Sequence, residues 1–129
     1  MIRVFAIFKN PIFLTALKPF LQSNGIEVVC SSSNSSLALD YYKNIDTDLV
    51  MMDLNWPASA YTVSGASLIS QLRKQNPNDK IIGFTTFYDA HTASRLNGLA
   101  LQGYFYKSTD NLLEQLKECI ERVHETCLA

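Results

Sequence analysis

The stretch Leu49-Val50-Met51-Met52-Asp53-Leu54-Asn55-Trp56-Pro57 decides the fold. Four large apolar residues run without alternation into one carboxylate, and a polar turn follows. A strand in a half-exposed sheet alternates apolar and polar residues. A strand covered on both faces does not, and this is the pattern of parallel sheets flanked by helices. In such sheets the carboxyl ends of the strands form the crevice where ligands bind. Asp53 is expected on that edge.

Outward from this stretch, strands and helices alternate. Ile2 to Phe8 is β-branched and aromatic and reads as the first strand. Asn10 and Pro11 then open a helix, as N-cap and first residue. Its buried stripe is Ile12, Phe13, Ala16, Leu17, Phe20 and Leu21. Asn24-Gly25 ends it. Ile26 to Cys30 is the second strand, and a serine-rich segment leads into a helix near Leu37 to Lys43. Asp46 to Asp53 carries the third strand.

A long loop from Leu54 to Ser64 precedes a helix over Gly65 to Gln75, and Pro77-Asn78-Asp79 turns the chain. Ile81 to Thr85 is the fourth strand. A helix follows from Asp89 or Thr92 to about Leu101. Gly103 to Tyr106 is a short fifth strand, and a last helix spans about Asp110 to Thr126. Five strand–helix units with short connections predict one doubly wound, flavodoxin-like (βα)5 domain over residues 1–129. Its class is α/β and its parallel strand order is 2-1-3-4-5.

Composition narrows the function. With 11 basic and 12 acidic residues, the chain lacks the basic footprint of a nucleic-acid binder. No apolar run approaches the roughly 20 residues that span a bilayer, and no secretory leader is legible, so a cytoplasmic protein is expected. Cys30, Cys119 and Cys127 form neither a disulfide framework nor a metal pair and read as buried thiols. His91 and His124 read as surface or helix-face residues. No cofactor is expected.

Chemistry concentrates at the strand ends. Asp53 follows strand three, Thr85 ends strand four and Lys107 follows strand five. In the expected order these strands are neighbours, so a carboxylate, a hydroxyl and an ammonium converge, as a phosphoryl-accepting site requires. Taken singly, each is an ordinary strand-end residue.

These residues carry a resemblance. Ile2 to Ala6, Asp48 to Pro57, Ile81 to Thr85 and Gly103 to Lys107 resemble the receiver domain of two-component response regulators, in order and spacing, over essentially the whole chain. The resemblance implies a non-enzymatic signalling module. The match to Asp53 would accept a phosphoryl group from a histidine kinase. Thr85 and Lys107 would contact that group, and Tyr104 would be the aromatic whose rotamer reports activation. It further implies a homodimer or a kinase or other signalling partner. DNA would be reached only through a further domain, as in the helix-turn-helix subfamily, with the chain here ending at Ala129.

The departures from the family pattern are specific. Receivers close their first strand with two acidic residues that hold Mg²⁺; aligning Pro11 with the family's helix-opening proline puts Phe8 and Lys9 there. A phenyl ring and an ammonium do not coordinate Mg²⁺, and phosphoryl transfer depends on neutralised phosphate charge. Thr86 replaces a usual Ala or Gly, and Tyr61, Thr62 and Val63 lengthen the loop beside the site. The expectation is an atypical receiver, without a metal site, acting through protein contacts. Lys9 either places its ammonium beside Asp53 or extends into solvent. The alternative is a working phosphoacceptor at Asp53. A flavin protein would need a glycine- or hydroxyl-rich loop where Phe8-Lys9-Asn10-Pro11 stands. A phosphohydrolase would need a second acid at Asn55. Both fit poorly.

Overall fold

The computed structural model describes residues 1–54, 65–85, the main chain of 103–106, and 111–125. The elements are β1 (Ile2–Ile7), α1 (Pro11–Ser23), β2 (Ile26–Ser32), α2 (Ser35–Tyr42), β3 (Leu49–Asp53), α3 (Gly65–Gln75), β4 (Ile81–Thr85), β5 (Gly103–Tyr106) and α4 (Leu112–Glu125). The five strands form one sheet in the order β2-β1-β3-β4-β5, and every pair is parallel. This is the order expected from the sequence. The helix expected between Asp89 and Leu101 lies outside the described residues.

The unbroken apolar run of β3 has a direct physical reading. Leu49 and Met51 enter one core, and Val50 and Met52 enter the other. The first core is completed by Leu14, Leu17 and Leu21 of α1 and by Leu116, Ile120 and Val123 of α4. The second takes Leu68, Ile69 and Leu72 from α3. β1 and the residue after it divide in the same way, with Val4, Ala6 and Phe8 on the α1 side and Phe5 and Ile7 on the other. The alternation is present, but both faces are dry.

Several boundaries move from their sequence positions. β2 runs on to Ser32 because Ser31 and Ser32 pair with Ala6 and Ile7. The register slips between Val4 and Phe5, which opposes Cys30 rather than Val29, a bulge that local sequence does not announce. α2 starts at Ser35, two residues before Leu37. Its N-cap is Asn34, whose side chain accepts from the N–H groups of Ser36 and Leu37. Asn10 caps α1 through the N–H of Ile12, as expected, and Gly25 takes the left-handed conformation after its end at φ 78°. Cys119 is buried and Cys30 half-buried, and both are free thiols; Cys127 lies outside the described residues.

At the amino edge of the sheet, Asp48 Oδ2 accepts from the N–H of Arg3 at 2.8 Å and lies 3.9 Å from Nε2 of His124. His124 therefore has an acidic neighbour that its sequence context did not suggest. Among the described residues no helix is long and apolar enough to cross a membrane.

Candidate functional site

The described part of the site lies at the ends of β3 and β4, with the β1–α1 turn beside them. Asp53 closes β3 and is 2% exposed, and Thr85 closes β4 and is fully buried. Phe84 lies opposite Asp53 in the β3–β4 pairing, so Thr85 is one step beyond that pair. The structure thus brings together two of the three strand-end residues picked out in the sequence. Lys107 lies outside the described residues, as do Trp56, Thr86 and the 57–64 loop. The main chain of Tyr104 pairs with Gly83 in the β4–β5 ladder.

Phe8 has left the strand but keeps its alternation, and it is 1% exposed in the α1-side core. Its N–H donates to the carbonyl of Ser32 at 3.1 Å, which fixes the turn into α1. Its ring meets Phe13 of α1 and Phe84 of β4 edge-on, both at 5.2 Å between centroids, and those two rings meet at 5.6 Å. Three mutually edge-to-face rings use the favourable quadrupole geometry at every contact. They form an apolar plug beside Asp53.

Lys9 reaches Asp53 through its backbone. The N–H of Lys9 donates to Asp53 Oδ2 at 2.7 Å, while the Lys9 side chain is exposed. Of the two readings of Lys9, the geometry selects the solvated ammonium. A short bond from a main-chain N–H to a carboxylate is among the stronger protein hydrogen bonds, and this one ties the β1–α1 turn to the end of β3.

A divalent cation of the kind receivers hold would need several hard oxygen donors here. The described residues at the positions after β1 offer a phenyl ring and an exposed ammonium. No group of three His, Cys, Asp or Glu side chains comes together among the described residues. This donor set does not fit Mg²⁺.

Two features escaped the sequence reading. Leu54 donates its N–H to the carbonyl of Phe84 at 2.7 Å, and its side chain lies over Gly83. A Cβ built on Gly83 would meet Leu54 Cδ1 at 2.8 Å. A glycine inside a buried strand is the available signal for such close approach. The second feature is a buried acid at the other end of β4, Asp79, which is 5% exposed and accepts from the hydroxyl of Tyr42.

The comparisons with known proteins agree with this geometry. A model of the response regulator receiver domain matches residues 4–121. The chain belongs to that family. The chemotaxis protein CheY of Thermotoga maritima is 33% identical over 66 residues, a segment covering 51% of this chain and 52% of that protein. The response regulator TrrA of the same organism, solved in complex with Mg²⁺ and BeF, is 28% identical, with TM-score 0.78 over 95% of this chain and 99% of that one. A LuxR-family DNA-binding response regulator from Staphylococcus aureus superposes at TM-score 0.82 with 19% identity, covering 97% of this chain and all of the other. At that identity the likeness speaks for the fold alone. A receiver domain of two-component signalling, with the flavodoxin-like fold, is therefore what this chain provides.

Proposed function

We propose that residues 1–129 form a single receiver domain that is not switched by Mg²⁺-dependent phosphorylation. It acts through protein contacts in signal transduction or transcription regulation, as a non-enzymatic cytoplasmic module and a homodimer. Phe8 carries this reading. The position matched to a metal-binding acid holds a buried ring packed against Phe13 and Phe84. Phosphoryl transfer needs its charge neutralised, and an aromatic plug supplies no ligand for the ion that does so. TrrA is solved with Mg²⁺ and BeF; in this chain Phe8 and Lys9 stand in place of the acidic pair that would receive the ion. Asp53 then serves as a structural anion, holding the N–H of Lys9. By family analogy the dimer would use α1 with α4, or β5 with α4 and the 89–101 segment. Other partners would be a histidine kinase or another signalling protein, and DNA only through a further domain.

The second reading is a receiver phosphorylated at Asp53 without the usual metal pair. It is favoured by Asp53 and Thr85 at adjacent strand ends, with Lys107 and Tyr104 in their family roles. Incubation with acetyl phosphate and Mg²⁺, followed by intact-mass measurement, separates the two. The expected result is no phosphoryl adduct and no Mg²⁺-dependent change in Trp56 emission. An adduct on most of the protein, absent in Asp53→Ala, would establish the second reading instead.

A further inference from the structure

The helices are anchored unequally. α1, α3 and α4 each bury three large aliphatic side chains. α2 fully buries only Ser35 and Ala38, while Leu37 and Tyr41 are exposed and Leu39 and Tyr42 are half-buried. Apolar stabilisation scales with the area removed from water, so α2 has the weakest hydrophobic hold of the four described helices.

What fixes its carboxyl end is polar. The Tyr42 hydroxyl donates to Asp79 Oδ2, across from α2 to the turn that leads into β4. Arg73 of α3 donates through Nη1 to the carbonyl of Asp79, and the Asp79 N–H donates to the carbonyl of Asn76 at 3.1 Å. The Tyr42 ring stacks over Phe5 of β1 at 6.3 Å. The Tyr42 hydroxyl, which also bonds the Asn76 side chain, therefore joins α2 to a turn that α3 holds.

We propose that this bond is a releasable pin, and that α2 opens as a local unit when it is lost, independently of the state of Asp53. Elements with few buried apolar contacts open below the global unfolding free energy. Opening uncovers Phe5, so a patch of the sheet becomes available only in the released state. The charged and titratable groups facing Asp79 are Tyr42 from α2, Arg73 from α3 and the main chain of Lys80; Asn76 faces Tyr42. Burial pushes the Asp79 carboxyl above the usual carboxylate range, against the lowering effects of the Tyr42 bond, Arg73 and Lys80. Burial first, and then the bond to Asp79, raises the Tyr42 phenol. Release hydrates the carboxylate, so opening is favoured once Asp79 is ionised.

Amide hydrogen exchange resolved along the chain tests this, with global stability measured by denaturation. Tyr42→Phe keeps the ring on Phe5 and removes only the hydroxyl. The expected result is a loss of protection at residues 35–42 of about tenfold beyond any change in α1 and α4, the factor set by losing roughly one hydrogen bond. Asp79→Ala should give a loss at the same residues, and the double variant no more than Tyr42→Phe, which also gives up the Asn76 contact. In the wild type, protection of α2 corrected for intrinsic exchange should fall relative to α1 as pH rises from the unfolded carboxylate value, near 3.9, through the raised folded one. Loss of protection in step across all helices, additive effects in the double variant, or a flat pH profile would overturn the proposal.

Discussion

Two carboxylates are buried at opposite ends of this sheet, and they are held by different means. Asp53, at the carboxyl edge, accepts from a main-chain N–H and sits beside three packed aromatic rings. Asp79, at the amino edge, accepts from a phenol on a lightly anchored helix. A main-chain donor cannot swing away without moving the turn that carries it. A side-chain donor can leave with its helix. The contrast separates a rigid edge, where a receiver's chemistry would be, from a yielding one.

The largest test of the rigid edge is Phe8→Ala. Removing a fully buried ring from a packed cluster costs about 3–5 kcal/mol, and chemical denaturation should show a loss in that range. A loss under about 1 kcal/mol would mean that the plug is loose and that the comparison fails at this end.

Asp53→Ala comes next. It takes the carboxylate from the part-buried Lys9 N–H, at a cost of about 1 kcal/mol. Because the contact is made by the backbone, the same loss is expected in a Lys9→Ala background, with the two changes adding within about 0.5 kcal/mol. A loss of Asp53 dependence in that background would bring the ammonium back into the site.

The smallest effect is at Asp79, and its sign depends on pH. Its folded-state pKa is raised, so the folded protein keeps the proton longer than the unfolded chain does. The stabilising contribution is fully present below the unfolded value, near 3.9, and is lost as pH rises through the folded value. Asp79→Asn keeps an acceptor for Tyr42 and removes the ionisation. Relative to wild type, the variant should therefore gain stability as pH rises from about 4 through the raised folded value of Asp79. Denaturation midpoints that keep a constant difference across this range would show that Asp79 is not strained by its burial.

The rigid edge was largely legible. The run into Asp53 gave the strand, Thr85 followed from the same logic, and strand order came from alternation and crossover handedness. The substitution at Phe8 was visible as a missing acid, but not as a ring meeting Phe13 and Phe84, because the cluster is completed by Phe84, which is far away in sequence. Lys9 was read through its side chain, although its backbone makes the bond. Main-chain donors carry no residue-type signal. The Tyr42–Asp79 pair was missed for a related reason. Asp79 stands after Pro77-Asn78, where turn chemistry already explains an Asp, and nothing local says that it is buried.

The place of β1 bears on how the chain is made. It is the first strand of this sheet in chain order, yet it lies between β2 and β3. One of its hydrogen-bonding edges waits for Ile26 and beyond, and the other for Leu49 and beyond. During that interval Ile2 to Phe8 is a β-prone segment with both edges open, the composition that self-associates. Its single charge, Arg3, is the gatekeeper of the nascent strand. In the folded state it makes an exposed ion pair with Asp46 at 3.8 Å, a kind of contact that contributes little to stability.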